Sequence, residues 1–290
     1  MICNICPREC GVDRSVTTGV CGMPEGFVVA RAAKHLWEEP CISGTNGSGT
    51  VFFSGCTLKC VFCQNYSIST ENYGKEISDA RLMEIFDSLI EQGVHNINLV
   101  NPTHYATRLA KVLKEYNSPV PVVYNTGGYE KAETLKQLDG LIDIYLPDLK
   151  YIDEEKSRKY SKAPNYFSFA YDAIKEMIRQ TGSPVLDKNG IMKKGTIIRH
   201  LILPKNTNQS IAVIDWLEEN VPNDTYISLM SQYTPIVHSE TYPELNRKIT
   251  EREYLKVLSH LMDSGFENIF TQEILSAQEE FIPEFDLTGV

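Results

Sequence analysis

The stretch Cys56-Thr57-Leu58-Lys59-Cys60-Val61-Phe62-Cys63 places three thiols within eight residues, at the spacing C-x3-C-x2-C. It follows an apolar run, Thr50-Val51-Phe52-Phe53-Ser54, that reads as a strand ending at Gly55. Three thiolates on one tight loop can hold three corners of an iron–sulfur cube, because cysteine thiolates are the usual ligands of such clusters. No fourth cysteine follows downstream, so one iron of that cube stays open to a reactant. A structural zinc site would need four closed ligands. A disulfide framework suits a small secreted chain rather than one of 290 residues.

Upstream, all eight cysteines lie within the first 63 residues. Cys3, Cys6, Cys10 and Cys21 stand at C-x2-C-x3-C-x10-C, with Pro7, Gly11, Gly19, Gly22 and Pro24 among them. Glycine and proline at this density make turns, and so small a segment has little apolar material of its own to fold around. The four thiols therefore read as a second metal site, for Zn²⁺, iron or a second iron–sulfur cluster, with free thiols on a disordered leader as the alternative. Within residues 25–49 the glycine run Gly44-Thr45-Asn46-Gly47-Ser48-Gly49 reads as a loop leading into the first strand. Cys41 reads as a small buried apolar residue. His35 and Trp37 read as packing residues, with a substrate mouth as the alternative.

The chain is 42% hydrophobic and 23% charged, ordinary for a globular protein, and its length suits one large α/β domain with appendages or at most two domains. A formal net charge of −10 with no dense Lys/Arg block gives no reason to expect nucleic acid or an anionic membrane as partner. No apolar run approaches the roughly 18 residues of a membrane span, and no leader pattern opens the chain. The expected location is cytoplasmic, which suits reduced thiols.

Downstream, strands and helices alternate. Ser78 can cap a helix with Leu82, Ile85, Phe86, Leu89 and Ile90 at helical spacing, ended by Gly93. Strands are expected at 96–100, 120–124, 141–146, 196–203, 225–230 and 268–271. Helices are expected at 103–116, 129–138, across a stretch broken near Pro164, at 210–219 and at 249–264. Asp187-Lys188-Asn189-Gly190 reads as a hairpin tip. Such repetition gives a parallel sheet with right-handed crossovers; about six units are too few for a closed eight-fold barrel. At the strand ends stand Asn101-Pro102-Thr103-His104-Tyr105, Asn125-Thr126-Gly127-Gly128, Pro147-Asp148-Leu149-Lys150, Arg199-His200 and Ser231-Gln232-Tyr233-Thr234-Pro235. Each alone is ordinary turn chemistry. Together they occupy the face where parallel barrels carry function.

The cysteine loop, with aromatic Phe62 before its last cysteine, resembles the signature of the radical S-adenosylmethionine (radical SAM) superfamily. That resemblance implies an α/β fold: a partial (β/α)6 barrel over 44–271, after a cysteine-rich N-terminal extension at 1–43 and before a mobile or loosely docked tail at 272–290. Over roughly 44–235 the chain is also similar to the pyruvate formate-lyase activating enzymes. The similarity rests on Gln64-Asn65, Asn125-Thr126-Gly127-Gly128, Asp148-x-Lys150 and Ile198-Arg199-His200-Leu201. The leader with Glu39-Pro40 resembles the PflX-type branch of that group. The resemblance implies that Asp148 and Lys150 lie near the methionyl moiety of S-adenosylmethionine and that Arg199 is the strand-five arginine. Asn101 and the Pro102 carbonyl are expected to accept from the cofactor's amine, with Thr103 beside them. Asn125, Thr126, Asp148 and Lys150 are expected to order ribose, carboxylate or substrate, and Arg199 to donate to a carboxylate. Two departures stand out: Pro102-Thr103-His104 replaces the usual Gly-Gly-Glu, and Asn125 replaces an aspartate. Both remove negative charge where the related enzymes have it.

The implied chemistry is reductive cleavage of S-adenosylmethionine at a [4Fe-4S] cluster, giving a 5′-deoxyadenosyl radical that takes a hydrogen atom from substrate. No side chain need act as general acid or base, so none is assigned as catalytic. Implied partners are a reductant such as flavodoxin or ferredoxin and a glycyl radical enzyme to be activated. The alternatives are radical modification of a small molecule or peptide, and a non-catalytic iron–sulfur or zinc-binding protein.

Overall fold

The computed structural model describes residues 2–235, 239–272 and 283–290. Strands β1 (Phe27–His35) and β2 (Ser48–Phe53) run antiparallel, joined through a helical turn, α1 (Pro40–Ser43). After the cysteine loop come α2 (Tyr66–Ser69) and β3 (Lys75–Ile77), which pairs antiparallel with the start of β1. There follow α3 (Asp79–Glu91), β4 (Ile97–Val100), α4 (Ala106–Tyr116), β5 (Val122–Thr126), α5 (Ala132–Leu135) and β6 (Ile144–Pro147). Helices α6 (Glu154–Ser161) and α7 (Tyr166–Thr181) lead to a hairpin of β7 (Val185–Leu186) and β8 (Met192–Leu201). The last elements are α8 (Thr207–Asn220), β9 (Tyr226–Met230), α9 (Glu251–Met262) and β10 (Asn268–Thr271).

The sheet order is β10-β9-β8-β6-β5-β4-β2-β1-β3, and each pair from β2 to β10 is parallel. Strands β2, β4, β5, β6, β8 and β9 form the expected six-stranded partial barrel. It stays open, with β3 and β10 at the two ends of the path.

Side chains alternate across the pleat. Outward-facing Leu99, Tyr124 and Tyr145 pack with Leu82, Phe86 and Leu109 of α3 and α4. Ile198, Ile227 and Leu229 pack with residues of α7, α8 and α9 such as Ile174, Val213 and Leu261. On the opposite face, Val123, Ile144, Leu146 and Ile197 gather around Cys41 and Ile42 of α1. Helix α1 thus plugs the barrel. Asn96 holds it there, donating through Nδ2 to the Ile42 carbonyl at 2.8 Å and accepting from Ser48 Oγ at 2.6 Å.

Local signals account for most boundaries. Ser78 Oγ accepts from the Arg81 amide at 3.1 Å to start α3, and Thr250 with Glu253 forms a reciprocal cap on α9. Three features depart from the sequence reading. Residues 27–35, to which the sequence reading assigned no element, form β1: the alanines of FVVARAAKH weaken its strand pattern, and its partners β2 and β3 lie further along the chain. β1 extends the barrel sheet beyond β2, and α1 packs inside it. Residues 283–290, expected to be loosely held, lie against β1: Ala32 donates to the Thr288 carbonyl at 2.8 Å, Leu287 to that of Ala30 at 3.0 Å, and Arg31 pairs with Asp286 at 2.8 Å. The rest of the tail lies outside the described residues. The cysteine-rich leader is fastened to the barrel wall, with Thr134 Oγ1 donating to the Ile5 carbonyl at 2.6 Å and Lys131 pairing with Glu9 at 2.7 Å. Among the described residues no helix is long and apolar enough to cross a membrane.

The plug carries a testable consequence. Ile42 is fully buried at the centre of the interior cluster. Ile42→Ala should cost about 2–5 kcal/mol of stability by leaving a cavity, measured as a lower midpoint in urea unfolding.

Candidate active site at the barrel mouth

At the strand ends lies a cleft of about 240 Å³, and Cys56, Cys60 and Cys63 all line it. The loop that carries them is held on several sides. His104 Nε2 donates to the Ser54 carbonyl at 2.8 Å, and Asn101 Nδ2 donates to that of Gly55. Gly55 itself has φ +77°, and a Cβ there would stand 2.7 Å from the Cys21 carbonyl, so only glycine lets the loop pass this close to the leader. The Leu58 amide lies 3.4 Å from Cys56 Sγ, Ser69 Oγ donates to Cys63 Sγ at 3.3 Å, and Ser161 Oγ lies 2.9 Å from Cys60 Sγ. Burial pushes the Cys60 thiol up to about 12, with Lys150 opposing, and raises that of Cys63. Bound metal would offset that cost by holding the sulfurs as thiolates.

Among the described residues no three His, Cys, Asp or Glu side chains gather as ligands of one metal ion. A cubane is different, since its thiolates bind separate irons. Three thiols on one cleft wall, each with a hydrogen-bond neighbour, fit that form.

The floor opposite is a buried charge network. Arg199 donates from Nε to Asp148 Oδ1 at 3.0 Å, from Nη2 to Asn125 Oδ1 at 2.6 Å and from Nη1 to Glu38 Oε2 at 3.3 Å. Lys150 Nζ donates to Asp148 Oδ2 at 2.5 Å. Against the penalty of burial, Lys150 and Arg199 hold the Asp148 carboxyl below its ordinary range, while burial raises Glu38 although Arg199 opposes. Gly128 brings the Asn-Thr-Gly-Gly turn onto this floor: with φ +79°, a Cβ there would lie 2.2 Å from the Asp148 carbonyl.

Of the residues expected to bind the cofactor, Asn101, Asn125, Thr126, Asp148, Lys150 and Arg199 line the cleft. Pro102 and Thr103 do not. The Pro102 carbonyl accepts the Tyr105 amide at 2.8 Å in a 3-10 turn. Thr103 Oγ1 turns behind the sheet to Glu130 at 2.5 Å. Arg199 was expected to donate to a bound carboxylate, but its hydrogen bonds go to the protein's own acceptors. His200, next to it, faces outward and donates from Nδ1 to the Leu149 carbonyl at 2.7 Å. His35 and Trp37, read as packing residues, line the mouth, and Trp37 is 62% exposed.

Glu38 was missed by sequence reasoning, which gave it no role. Its Oε1 accepts from Asn98 Nδ2 at 3.0 Å and from Asn125 Nδ2 at 3.2 Å. Glu38 thus accepts from Asn125, which stands where an aspartate was expected, and Glu130 accepts from Thr103, the residue before His104 at the expected acidic position.

In the leader, burial and then repulsion from Cys21, Glu130 and Cys10 push the Cys6 thiol up to about 12; the charges of Cys3 and Cys10 likewise act on buried Cys21. Cys41 is buried in the plug, as its lone position suggested, and all eight cysteines are free thiols.

A partial parallel barrel with a three-cysteine loop at its mouth defines a class, and the comparisons agree. The family model described as the radical SAM superfamily matches residues 50–217, more than half of the chain, and the chain belongs to that superfamily. It is similar to the uncharacterized protein MJ0674 of Methanocaldococcus jannaschii, 29% identical over 265 residues that cover 88% of this chain and 73% of that protein. The fold is similar to that of HydG, a maturase of the [FeFe]-hydrogenase, with a TM-score of 0.52 and 14% identity over 80% of this chain and 54% of that one. It is also similar to Streptococcus suis SuiB bound to its precursor peptide SuiA, with a TM-score of 0.51 and 16% identity over 78% and 48%.

Glu130 permits a pH test. It is fully buried, and accepts from Thr103 Oγ1 and Thr126 Oγ1, each at 2.5 Å. Burial raises its carboxyl from 4.5 to about 7, against the hydrogen bonds that lower it. A raised acid binds its proton more tightly in the folded chain, so its contribution is fully present below pH 4.5 and is lost as pH rises to about 7. That loss is about 3 kcal/mol. Glu130→Gln should remove it, so urea unfolding across this window should show the variant gaining on wild type as pH rises; parallel curves would refute the assignment.

Proposed function

We propose that the chain uses a [4Fe-4S] cluster on Cys56, Cys60 and Cys63 to cleave S-adenosylmethionine and makes a glycyl radical on a partner protein. What carries this reading is one cleft that joins the three thiols of the cysteine loop to Asp148, Lys150 and Arg199. When bound, the cluster and S-adenosylmethionine supply a one-electron reductive cleavage and a 5′-deoxyadenosyl radical. The chain's own residues position and seal. Asp148 and Lys150 form a neutral pair beside the thiols, suited to hydroxyls and to the methionyl group. Arg199 orients Asp148 and Asn125 rather than touching a ligand carboxylate. Phe52, Leu58, Ile68 and Val100 give the cleft apolar walls that exclude water.

An external one-electron reductant is required; a flavodoxin or ferredoxin in the cytoplasm is the partner we assign, a setting in which eight free thiols persist. The second reading, radical modification of a peptide or small molecule, is favoured by exposed Trp37 at the mouth, which suits a polypeptide strand as well as a folded partner.

Anaerobic reconstitution followed by reduction with excess S-adenosylmethionine should give 5′-deoxyadenosine, and Cys60→Ala should give none. An intact cluster with no product would leave a non-catalytic iron–sulfur protein. Adding a candidate glycyl radical enzyme should then produce a glycine-centred signal in electron paramagnetic resonance; product without that signal would favour the second reading.

We further propose a second metal centre, zinc or iron–sulfur, on Cys3, Cys6, Cys10 and Cys21, a reading supported by their spacing and by the docking of the leader; among the described residues the four thiols are not already gathered around one ion, so metal uptake would draw them together. Cys6→Ala and Cys21→Ala should each lower the count of zinc or iron by one site. Full metal content in both would refute the assignment.

A further inference from the structure

Cys60 is the most enclosed cysteine of the loop, 7% exposed, whereas Cys56 and Cys63 are partly buried. Its hydrogen-bond partner outside the loop does not line the cleft. Ser161, the last residue of α6, is fully buried and places Oγ 2.9 Å from Cys60 Sγ. Behind it Tyr151, also buried, places its hydroxyl 2.8 Å from Ser161 Oγ. Neither residue lines the cleft, so neither touches substrate.

The direction of these bonds follows from the sulfur. A thiolate bound to iron can only accept, so the Ser161 hydroxyl donates to it and the Tyr151 hydroxyl donates to Ser161. Two donors in series polarise one another. Donation withdraws charge from the sulfur and favours the reduced cluster, which carries one more electron; hydrogen bonds to the sulfurs are among the determinants of cluster potential.

The helix end is fixed against the loop from outside. Arg8 of the leader donates from Nε to the Thr57 carbonyl at 2.7 Å, from Nη1 to that of Lys162 at 2.5 Å and from Nη2 to that of Ser161 at 3.3 Å. One guanidinium thus spans the cysteine loop and the end of α6, and the Val61 amide adds a bond to the Tyr160 carbonyl at 2.8 Å. Arg8 lies between Cys6 and Cys10, so the leader reaches the sulfur through two contacts.

We propose that Ser161, backed by Tyr151 and held in register by Arg8, is a positioning residue that raises the reduction potential of the cluster on the cysteine loop. The inference rests on the cluster being held by Cys56, Cys60 and Cys63.

The test compares wild type with Ser161→Ala, Ser161→Thr, Tyr151→Phe and Arg8→Lys after reconstitution. Iron and sulfide are counted first, and the midpoint potential is then measured by a mediated titration followed by electron paramagnetic resonance. Ser161→Ala should keep its iron and shift to a more negative potential, and Ser161→Thr should restore the wild-type value. Tyr151→Phe and Arg8→Lys should shift the same way by less. A fully loaded Ser161→Ala with the wild-type potential overturns the proposal. If Ser161→Ala does not fold or load, Tyr151→Phe decides: a negative shift supports the proposal, and no shift overturns it. A wild-type chain that takes up no iron overturns the cluster assignment itself, and this inference with it.

Discussion

Arg199 carries a charge into the interior of the barrel, and a buried guanidinium is tolerated only where acceptors surround it. Asp148 at the end of β6, Asn125 on β5 and Glu38 ahead of α1 supply them. That requirement ties two strands and a distant segment to one point. It draws residues 36–43 into the barrel, where α1 fills the lower half with Cys41 and Ile42. The interior is consequently divided: apolar at the plug, charged at the mouth. The cleft floor is rigid because its charges are mutually satisfied, and Lys150 completes the pairing on the side that faces the thiols.

The opposite wall depends on a different device. The cysteine loop has little regular structure, and its shape is set by backbone carbonyls that accept from outside it. Ser54, Gly55 and Thr57 accept from His104, Asn101 and Arg8, which belong to two separate parts of the chain, the segment after β4 and the leader. The leader is one of these supports. The Cys21 carbonyl lies against Gly55 at the start of the loop, and Arg8 reaches from the loop to the end of α6. A segment that looks like an appendage in the sequence is, in the fold, part of the housing of the thiols.

Two carboxyls enter the surroundings of the cleft from outside the strand-end motifs. Glu38 accepts from Asn125, and Glu130 accepts from Thr103 and Thr126. Burial raises both above their ordinary range, and hydrogen bonds oppose it. A motif comparison, which runs along the chain, registers neither.

The amino-acid sequence by itself determined the cysteine loop, the strand–helix alternation and the polar strand ends, because each rests on neighbours close along the chain: thiol spacing, helical periodicity, caps such as Ser78 and Thr250, and turn residues. It also gathered most of the cleft, since residues following parallel strands share one face. Only the tertiary structure decided the rest. β1 was hidden because its pairing with β2 and β3 is non-local and its alanines pattern weakly. Glu38, Glu130 and the Arg8–Ser161 clasp join residues far apart in the chain. Pro102 and Thr103 lie off the cleft lining, with Thr103 turned to Glu130. Long-range hydrogen bonds and buried charges carry no local signature, so folding alone reveals which groups they bring together.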